Sequence, residues 1–239
     1  MESVAQQSAV STMVDLSQEI YQGMPVYPGH LNTVMWDYHT HESTVGVMDS
    51  DLTYATRGII LSDHGPTHVD SLSHFDPRPE APTIDKMDLS LFWGPALCID
   101  ISDAEPRTDV GPKELDAALA TTGLELREGD ILLLRTGNFD RNAGTDAYLS
   151  EYPGLGEDGA EWLVQRGVKA FGVDTPTPDN PASRTYPVHL VCRRDGLHHY
   201  ENLANLGAVV GRRFTFFGLP LRFRAGHGSP VRAVALLEG

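Results

Sequence analysis

The densest group of chemically capable side chains is the segment His64-Gly-Pro-Thr-His68-Val-Asp70-Ser-Leu-Ser-His74-Phe75. Three histidines and one aspartate fall within eleven residues. Imidazole nitrogens and carboxylate oxygens that converge about 2.0–2.2 Å from one ion are typical zinc ligands. We therefore interpret His64, His68 and Asp70 as candidate metal ligands, in preference to ordinary loop residues with satisfied hydrogen bonds.

This spacing works only if the backbone bends. On a helix, Asp70 lies six residues after His64 and is rotated about 240° from it. On a straight strand the same six residues span about 20 Å, too far for one ion. The Gly65-Pro66 pair is typical of a turn. The sequence therefore predicts a bent loop around His64 and His68.

A second cluster near the end of the chain contains His189 and the run His198-His199-Tyr200-Glu201. Any of these side chains could complete a site begun by His64, and spacing alone does not choose between them. Four further histidines are interpreted as solvated loop residues: His30, His39, His41 and His227.

Short apolar runs alternate with helical patterns, which favours the α/β class. Pro112 and Gly123 bracket a helix over 112–122, and Gly167 ends a second over 157–166. A third, short helix is predicted over 200–206. We expect a flexible N-terminal tail (1–12) and a single domain (13–239). Strands are predicted at 13–17, 96–102, 131–136, 168–174, 214–223 and 231–237.

The composition disfavours several classes of partner. Lys and Arg total 18 against 33 Asp and Glu, a net charge of −15, which argues against nucleic acid and anionic membranes. Eight arginines against three acidic residues lie in 180–239, and ion pairing with the acidic remainder is the favoured interpretation. Cys98 and Cys192 are predicted to be buried free thiols. Without a signal-peptide pattern or a membrane-length apolar run, we expect a cytoplasmic protein.

The segment from His64 to Phe75 resembles the hallmark H-x-G-T-H-x-D-x-P-x-H-F of the metal-dependent cyclase family, which includes bacterial kynurenine formamidase and isatin hydrolase. The resemblance covers nearly the whole chain from residue 13, and weak motifs follow in the family's order. They lie at 15–29, 129–137, 153–179, 201–206 and 219–236.

The resemblance implies a fold and a ligand set. The fold is the swivelling β/β/α type with a central mixed sheet. His74 matches the general acid/base, and Asp70 would bridge two ions. The implied cofactor is Zn²⁺, with Mn²⁺ as the alternative, at one or two ions per subunit. The implied metal ligands are His64, His68, Asp70, His189 and Glu201.

The resemblance also implies hydrolysis of a small amide by metal-activated water, on an N-formyl aryl amine such as N-formylkynurenine or a cyclic amide such as isatin. The alternative is a metal-assisted cyclase or lyase, or a lactone hydrolase. Family members are commonly oligomeric, so a homodimer or homotetramer is expected. Phe75, Tyr27 and Trp36 are candidates for lining a pocket for a planar substrate.

Two positions depart from the hallmark. Pro66 replaces the motif glycine and Leu72 replaces the motif proline. Proline fixes φ and removes an N–H donor, so the turn between His64 and His68 is expected to differ from the family's. These departures mark a divergent subgroup.

Overall fold

The computed structural model describes residues 11–238 and centres on a nine-stranded mixed sheet. The expected tail falls mostly outside the described residues, although Thr12, placed in the tail, is the first residue of a strand. The strands of the chain are β1 (Thr12–Asp15), β2 (Val34–His39), β3 (Thr56–Ile60), β4 (His68–Asp70), β5 (Trp93–Asp100), β6 (Asp109–Val110), β7 (Ile131–Arg135), β8 (Gly154–Leu155), β9 (Ala170–Val173), β10 (His198–Glu201), β11 (Arg213–Phe217), β12 (Gly228–Pro230) and β13 (Val234–Leu237).

The large sheet runs in the order β1-β13-β11-β5-β7-β9-β10-β4-β12. Its centre, from β5 to β10, is parallel, and both flanks are antiparallel. Two small sheets, β2-β3 and β6-β8, lie outside it. The α-helices are α1 (Pro112–Thr122), α2 (Asn138–Asn142), α3 (Glu157–Gln165) and α4 (Pro187–Asp195).

The core is divided by the sheet, because alternate side chains of a strand point to opposite faces. One face packs against α1, α3 and α4, and the other against loops and the 3₁₀ turn at 206–208. On the helical face lie Leu97, Ile99, Leu132, Leu134 and Phe171. On the opposite face lie Ala96, Cys98, Leu133, Ala170 and Tyr200.

The predicted swivelling β/β/α fold, a single domain with a central mixed sheet, is confirmed. Helix α1 has the predicted bounds: Pro112 is its first residue, the Gly111 N–H donates to Glu114, and Gly123 adopts a left-handed φ of 65°. This is the conformation that glycine tolerates best at a helix end.

The predicted helix at 200–206 is wrong. Residues 198–201 form strand β10, which pairs in parallel with β9 and antiparallel with β4. Asn202 and Asn205 then adopt left-handed φ values of 56° and 55°, which interrupt any regular helix. Strand β10 is buried on both faces, so its polar sequence HHYE shows no amphipathic alternation.

A separate two-stranded arm, residues 34–60, consists of β2, β3 and their connection. Nine of the nineteen large apolar side chains exposed in the described residues lie in this arm. They are Val34, Trp36, Tyr38, Val45, Val47, Leu52, Tyr54, Ile59 and Ile60.

Cys98 and Cys192 are buried free thiols, as predicted. Within residues 11–238, no helix combines the length and apolarity needed to cross a bilayer. Among the eight arginines after residue 180, those at 194, 213 and 232 form ion pairs with acidic side chains.

Candidate metal centre

Two adjacent antiparallel strands, β4 and β10, carry the core of the site. Glu201 lies opposite His68, and Tyr200 lies opposite Val69. Side chains alternate along each strand, so His68, Asp70 and Glu201 share one face, while Val69 and Tyr200 enter the apolar core on the other. Pairing of these two strands therefore brings together residues more than 130 positions apart in the chain.

The same alternation separates the two neighbouring histidines of β10. His199 shares the face of Glu201, and its Nε2 lies 3.2 Å from Glu201 Oε1 and 3.4 Å from Asp70 Oδ2. His198 faces away and donates from Nε2 to the Leu91 carbonyl at 3.1 Å. His198 is thus a core histidine, and His199 belongs to the site.

Within each carboxylate, the two oxygens face different imidazoles. Asp70 Oδ1 lies 2.8 Å from His64 Nδ1 and 3.3 Å from His68 Nε2. Glu201 Oε2 lies 3.3 Å from the same His68 nitrogen. His189 Nε2 lies 3.7 Å from each of the remaining oxygens, Asp70 Oδ2 and Glu201 Oε1.

The protonation pattern of His68 fits a cation. Its Nδ1 lies 2.9 Å from the Pro66 carbonyl, an acceptor, so Nδ1 carries the proton. Its buried Nε2 has no hydrogen-bond partner among the described residues, although it faces two carboxylate oxygens. Although burial lowers it, the Asp70 and Glu201 carboxylates raise the pKa of His68 to about 10, so positive charge, as a proton or as a metal ion, is favoured between Nε2 and these oxygens. The donor set therefore fits a divalent metal ion.

The Pro66 departure from the hallmark has a structural meaning. The chain turns through Gly65-Pro66 before entering β4, which is the bend that the spacing requires. Proline has no N–H to donate at this position, but its carbonyl accepts from His68. The turn therefore fixes the tautomer of a candidate ligand.

His189 comes from a different element, the first turn of α4, which begins at Pro187. Its Nδ1–H donates to Asp179 Oδ2 at 2.5 Å, and Asp179 Oδ1 accepts the Val188 N–H at 2.8 Å. Asp179 thus ties the start of the helix to the ring. A carboxylate behind a histidine fixes its tautomer and directs the other nitrogen towards a metal.

Both carboxylates are ionised despite their burial. Burial opposes ionisation of Asp70, but the facing imidazoles of His189, His199 and His64 hold its pKa well below the ordinary value. Burial and the charge of Asp70 likewise oppose ionisation of Glu201, but His199 and His68 hold its pKa at about 2. Two buried carboxylates side by side favour the binding of a cation.

His74 lies at the edge of this cluster. Its ring packs on His64 with centroids 3.8 Å apart, and its Nε2 lies 3.8 Å from Asp70 Oδ2. Burial lowers the pKa of His74 to about 4, so its ring is neutral at pH 7. His64, Asp70 and His74 can each place a ligand atom within 4.8 Å of the others.

A cavity of about 250 Å³ opens beside the cluster and reaches His74 and Glu201. The Phe75 ring lines it and packs on His189 with centroids 4.0 Å apart. The hydroxyls of Tyr27 and Tyr186 lie 2.8 Å apart on another wall. Aromatic walls with a few polar groups are typical of a site for a small organic molecule.

The structure brings together the six predicted chemical residues, His64, His68, Asp70, His74, His189 and Glu201. Two of the three aromatic candidates, Tyr27 and Phe75, line the cavity. Trp36 does not, because it lies on β2 across from Gly58, and 44% of it is exposed.

His30 lies in a loop, as predicted, but it is not fully solvated. Its ring is half-buried, lines the cavity and lies 5.7 Å from the His64 ring between centroids. His39 is not in a loop, since it ends β2. His41 and His227 are exposed and lie in segments that connect strands and helices.

Two residues of the site, Asp179 and Gly228, escape sequence reasoning, and a third, His199, is left among several open candidates. His199 follows from strand parity with Glu201, once β10 is known to be a strand. Asp179 and Gly228 depend on long-range packing. A Cβ on Gly228, opposite Asp70 in β12, would lie 2.6 Å from the His64 ring, so only glycine leaves room for this histidine.

This chain is similar to known proteins in sequence and in fold. A kynurenine formamidase of Bacillus mycoides is 30% identical over 227 residues, which cover 94% of this chain and 97% of the relative. A kynurenine formamidase of Geobacillus thermodenitrificans is 28% identical, covering 92% and 95%. An isatin hydrolase A structure from Labrenzia aggregata has a TM-score of 0.83 at 22% identity, covering 96% and 94%.

Fold and site together define a single-domain α/β protein with a buried histidine–carboxylate centre suited to divalent metal ions. The Cyclase family model matches residues 14–180, and the chain belongs to this family.

Proposed function

We propose that this protein is a metal-dependent hydrolase of a small amide, acting on a C–N bond outside peptides. The observation that carries the proposal is the pair of carboxylates, Asp70 and Glu201, whose oxygens face imidazoles beside a cavity lined by His74. The curated relatives are kynurenine formamidases, and solved structures of the same fold include isatin hydrolases. Both names describe enzymes that open an amide.

The residues that would hold the metal are His64, His68, Asp70, His189 and Glu201. Zn²⁺ is the first candidate and Mn²⁺ the second, because mixed imidazole and carboxylate ligands accept both. Two ions are supported by the division of the carboxylate oxygens between two groups of histidines. A divalent ion supplies Lewis acidity, which acidifies water and polarises a carbonyl.

His74 moves the proton in this proposal. Its neutral ring accepts a proton from the attacking water and returns it to the leaving nitrogen. Phe75 and Tyr27 hold a planar substrate in the cavity, which at about 250 Å³ suits a compact aryl amide. Burial of the cluster excludes bulk water from the reacting groups, which strengthens electrostatic interactions there.

Substrate assays test the activity. N-formylkynurenine, isatin and a set of lactones are assayed with Zn²⁺ and with Mn²⁺, and products are weighed by mass spectrometry. Amide hydrolysis is expected to give one ring-opened product from isatin, heavier by one water, and two products from N-formylkynurenine, formate and the free amine, whose summed mass exceeds the substrate's by one water. A product lighter by one water would instead indicate cyclisation, and activity on lactones alone would overturn the amide assignment.

Variants test the roles. H74A is expected to keep its metal and lose about 10²- to 10⁴-fold in kcat, whereas H68A and D70A lose metal by elemental analysis. H41A, in an exposed connection, is the matched control and keeps both metal and activity. Metal loss in H74A would make His74 a ligand, and full metal in both H68A and D70A would refute the ligand set.

The proposal includes a homo-oligomer, a dimer or tetramer, supported by the exposed apolar arm at 34–60. A cytoplasmic location is supported by the two free buried thiols, which a reducing compartment preserves. Fractionation of source cells tests the location, with the protein expected in the cytosolic fraction.

A further inference from the structure

The family resemblance assigns His189 and Glu201 as the later ligands and leaves the histidine pair before Glu201 without a role. Strand parity gives them different positions. His198 faces the core, whereas His199 lies in register opposite Asp70, one step beyond the Tyr200–Val69 pair. His199 is 2% exposed, so an imidazole with no other evident task is buried at the centre of the site.

Four ligand atoms converge at one end of the cluster. They belong to Asp70, His189, His199 and Glu201, and all lie within 4.8 Å of one another. We name this group the second position. The first position is formed by His64, His68 and the carboxylate oxygens that face His68, namely Asp70 Oδ1 and Glu201 Oε2. His199 contributes Nε2 to the second position, at 3.2 Å and 3.4 Å from its two oxygens.

His199 reaches the second position from the side of β9, away from the substrate cavity. It does not belong to the described residues that line the substrate cavity, and its ring stacks on Phe171 of β9 with centroids 5.3 Å apart. His189, in contrast, lines the cavity. The two histidines thus face the same pair of carboxylate oxygens from different elements, one from α4 and one from β10.

We propose that His199 is the fourth protein ligand of the second metal position. This inference rests on the metal centre proposed above. Four protein ligands make a closed position, which is typical of tightly held ions, whereas three ligands leave a corner for water or substrate. With His199 as a ligand, the second position therefore holds its ion firmly.

A competing role for His199 is a hydrogen bond to Glu201, whose Oε1 lies within bonding distance of its Nε2. Two substitutions separate a ligand from such a support. H199N offers a shorter N–H donor in place of the imidazole but is a poor zinc ligand. H199F keeps an aromatic ring against Phe171 and removes both functions.

The experiment measures Zn²⁺ per chain by elemental analysis after equilibration in a zinc buffer, for the wild type, H199N and H199F. The wild type is expected to bind two ions. Both variants are expected to keep one and bind the other at least about a hundredfold more weakly, since loss of an outer-shell partner alone costs about 10- to 100-fold. H198F, whose substitution faces the core, is the control for packing and keeps two ions when folded.

The outcomes separate this inference from the metal centre itself. A wild type that binds no metal would overturn the proposed function. A wild type with two ions and variants that also hold two would overturn only the role of His199, as would an H199N with two ions beside an H199F with one. If both variants fail to fold, a crystal structure of the zinc-loaded wild type decides, because a ligand nitrogen must lie about 2.0–2.1 Å from the ion.

Discussion

Asp179 shows how one residue outside the ligand set can govern the centre. It accepts from the His189 ring and from the first turn of α4 at the same time. The carboxylate is 1% exposed, so removing it leaves two buried donors without their acceptor. His189 would then lose both its tautomer and its orientation.

D179A is therefore expected to lower zinc affinity about 10- to 100-fold. D179N is expected to fall between D179A and the wild type, because an amide oxygen still accepts from Nδ1–H but carries no charge. Competition with a chelating dye measures the affinity. D174N is the matched control, since Asp174 is equally buried but accepts from Thr136 and Gly137. Equal losses in D174N and D179N would contradict the specific role.

Local spacing along the chain predicts which side chains gather within one segment. His64, His68, Asp70 and His74 fall close together in sequence, so the bend at Gly65-Pro66 is enough to gather them. Asp179 gives no such signal, because its contact with His189 depends on where α4 packs. The prediction that Trp36 lines the pocket is wrong for the opposite reason. Its residue type suits a pocket, but its strand lies in the arm.

Proline and glycine at helix ends explain why α1 is predicted correctly, and they also mark α4, the helix that the sequence analysis omits. Pro112 and Gly123 predict α1 to the residue. Pro187 and Gly196 frame α4 in the same way, with Gly196 at a left-handed φ of 71°, so that signal is present in the sequence. Strand β10 has no comparable signal, because both of its faces are buried and its residues are polar.

Arg213, at the start of β11, connects this strand to the residue before β7. Its guanidinium contacts both oxygens of Asp130 at 3.0 Å and also donates to the Glu125 carbonyl. Asp130 is 3% exposed, whereas Asp15, which pairs with Arg232, is much more exposed. The two ion pairs therefore differ mainly in burial.

R213A is expected to lower the free energy of unfolding by about 2–3 kcal/mol, because it leaves a buried carboxylate without its cation; the value is reduced from the fully buried case since Arg213 is partly exposed. R232A is expected to lower the free energy of unfolding much less than R213A, because solvent screens its exposed ion pair with Asp15. Urea unfolding measures both. Equal destabilisation by the two substitutions would show that burial of Asp130 does not decide the cost.

The arm at 34–60 exposes apolar side chains that nothing within a single chain covers in the described residues. An isolated two-stranded hairpin is marginally stable in water, and contiguous exposed apolar side chains commonly mark an interface. Val34, Trp36 and Ile60 lie on one face of the hairpin and are each more than 40% exposed. A second copy of the chain would cover this face.

W36E and I60E are therefore expected to convert an oligomer into a 26.1 kDa monomer, as measured by sedimentation. L89E is the control, because Leu89 is also exposed but lies outside the arm. A wild type that already sediments as a monomer, or variants that keep its oligomeric mass, would refute the role of the arm.

Metal removal tests the centre through the stability of the whole fold. A ligand that binds only the native state stabilises it by about 4 kcal/mol at a thousand times its Kd. For a domain of this size, each kcal/mol shifts Tm by about 2–4 °C. A chelator is therefore expected to lower Tm by roughly 8–16 °C, and added Zn²⁺ to restore it. D70A lacks the carboxylate shared by both positions, so its Tm is expected to be the same with and without chelator. A wild type whose Tm is equally insensitive to chelator and to zinc would show that the buried carboxylates hold no ion. The facing imidazoles alone would then balance the repulsion between the two carboxylates.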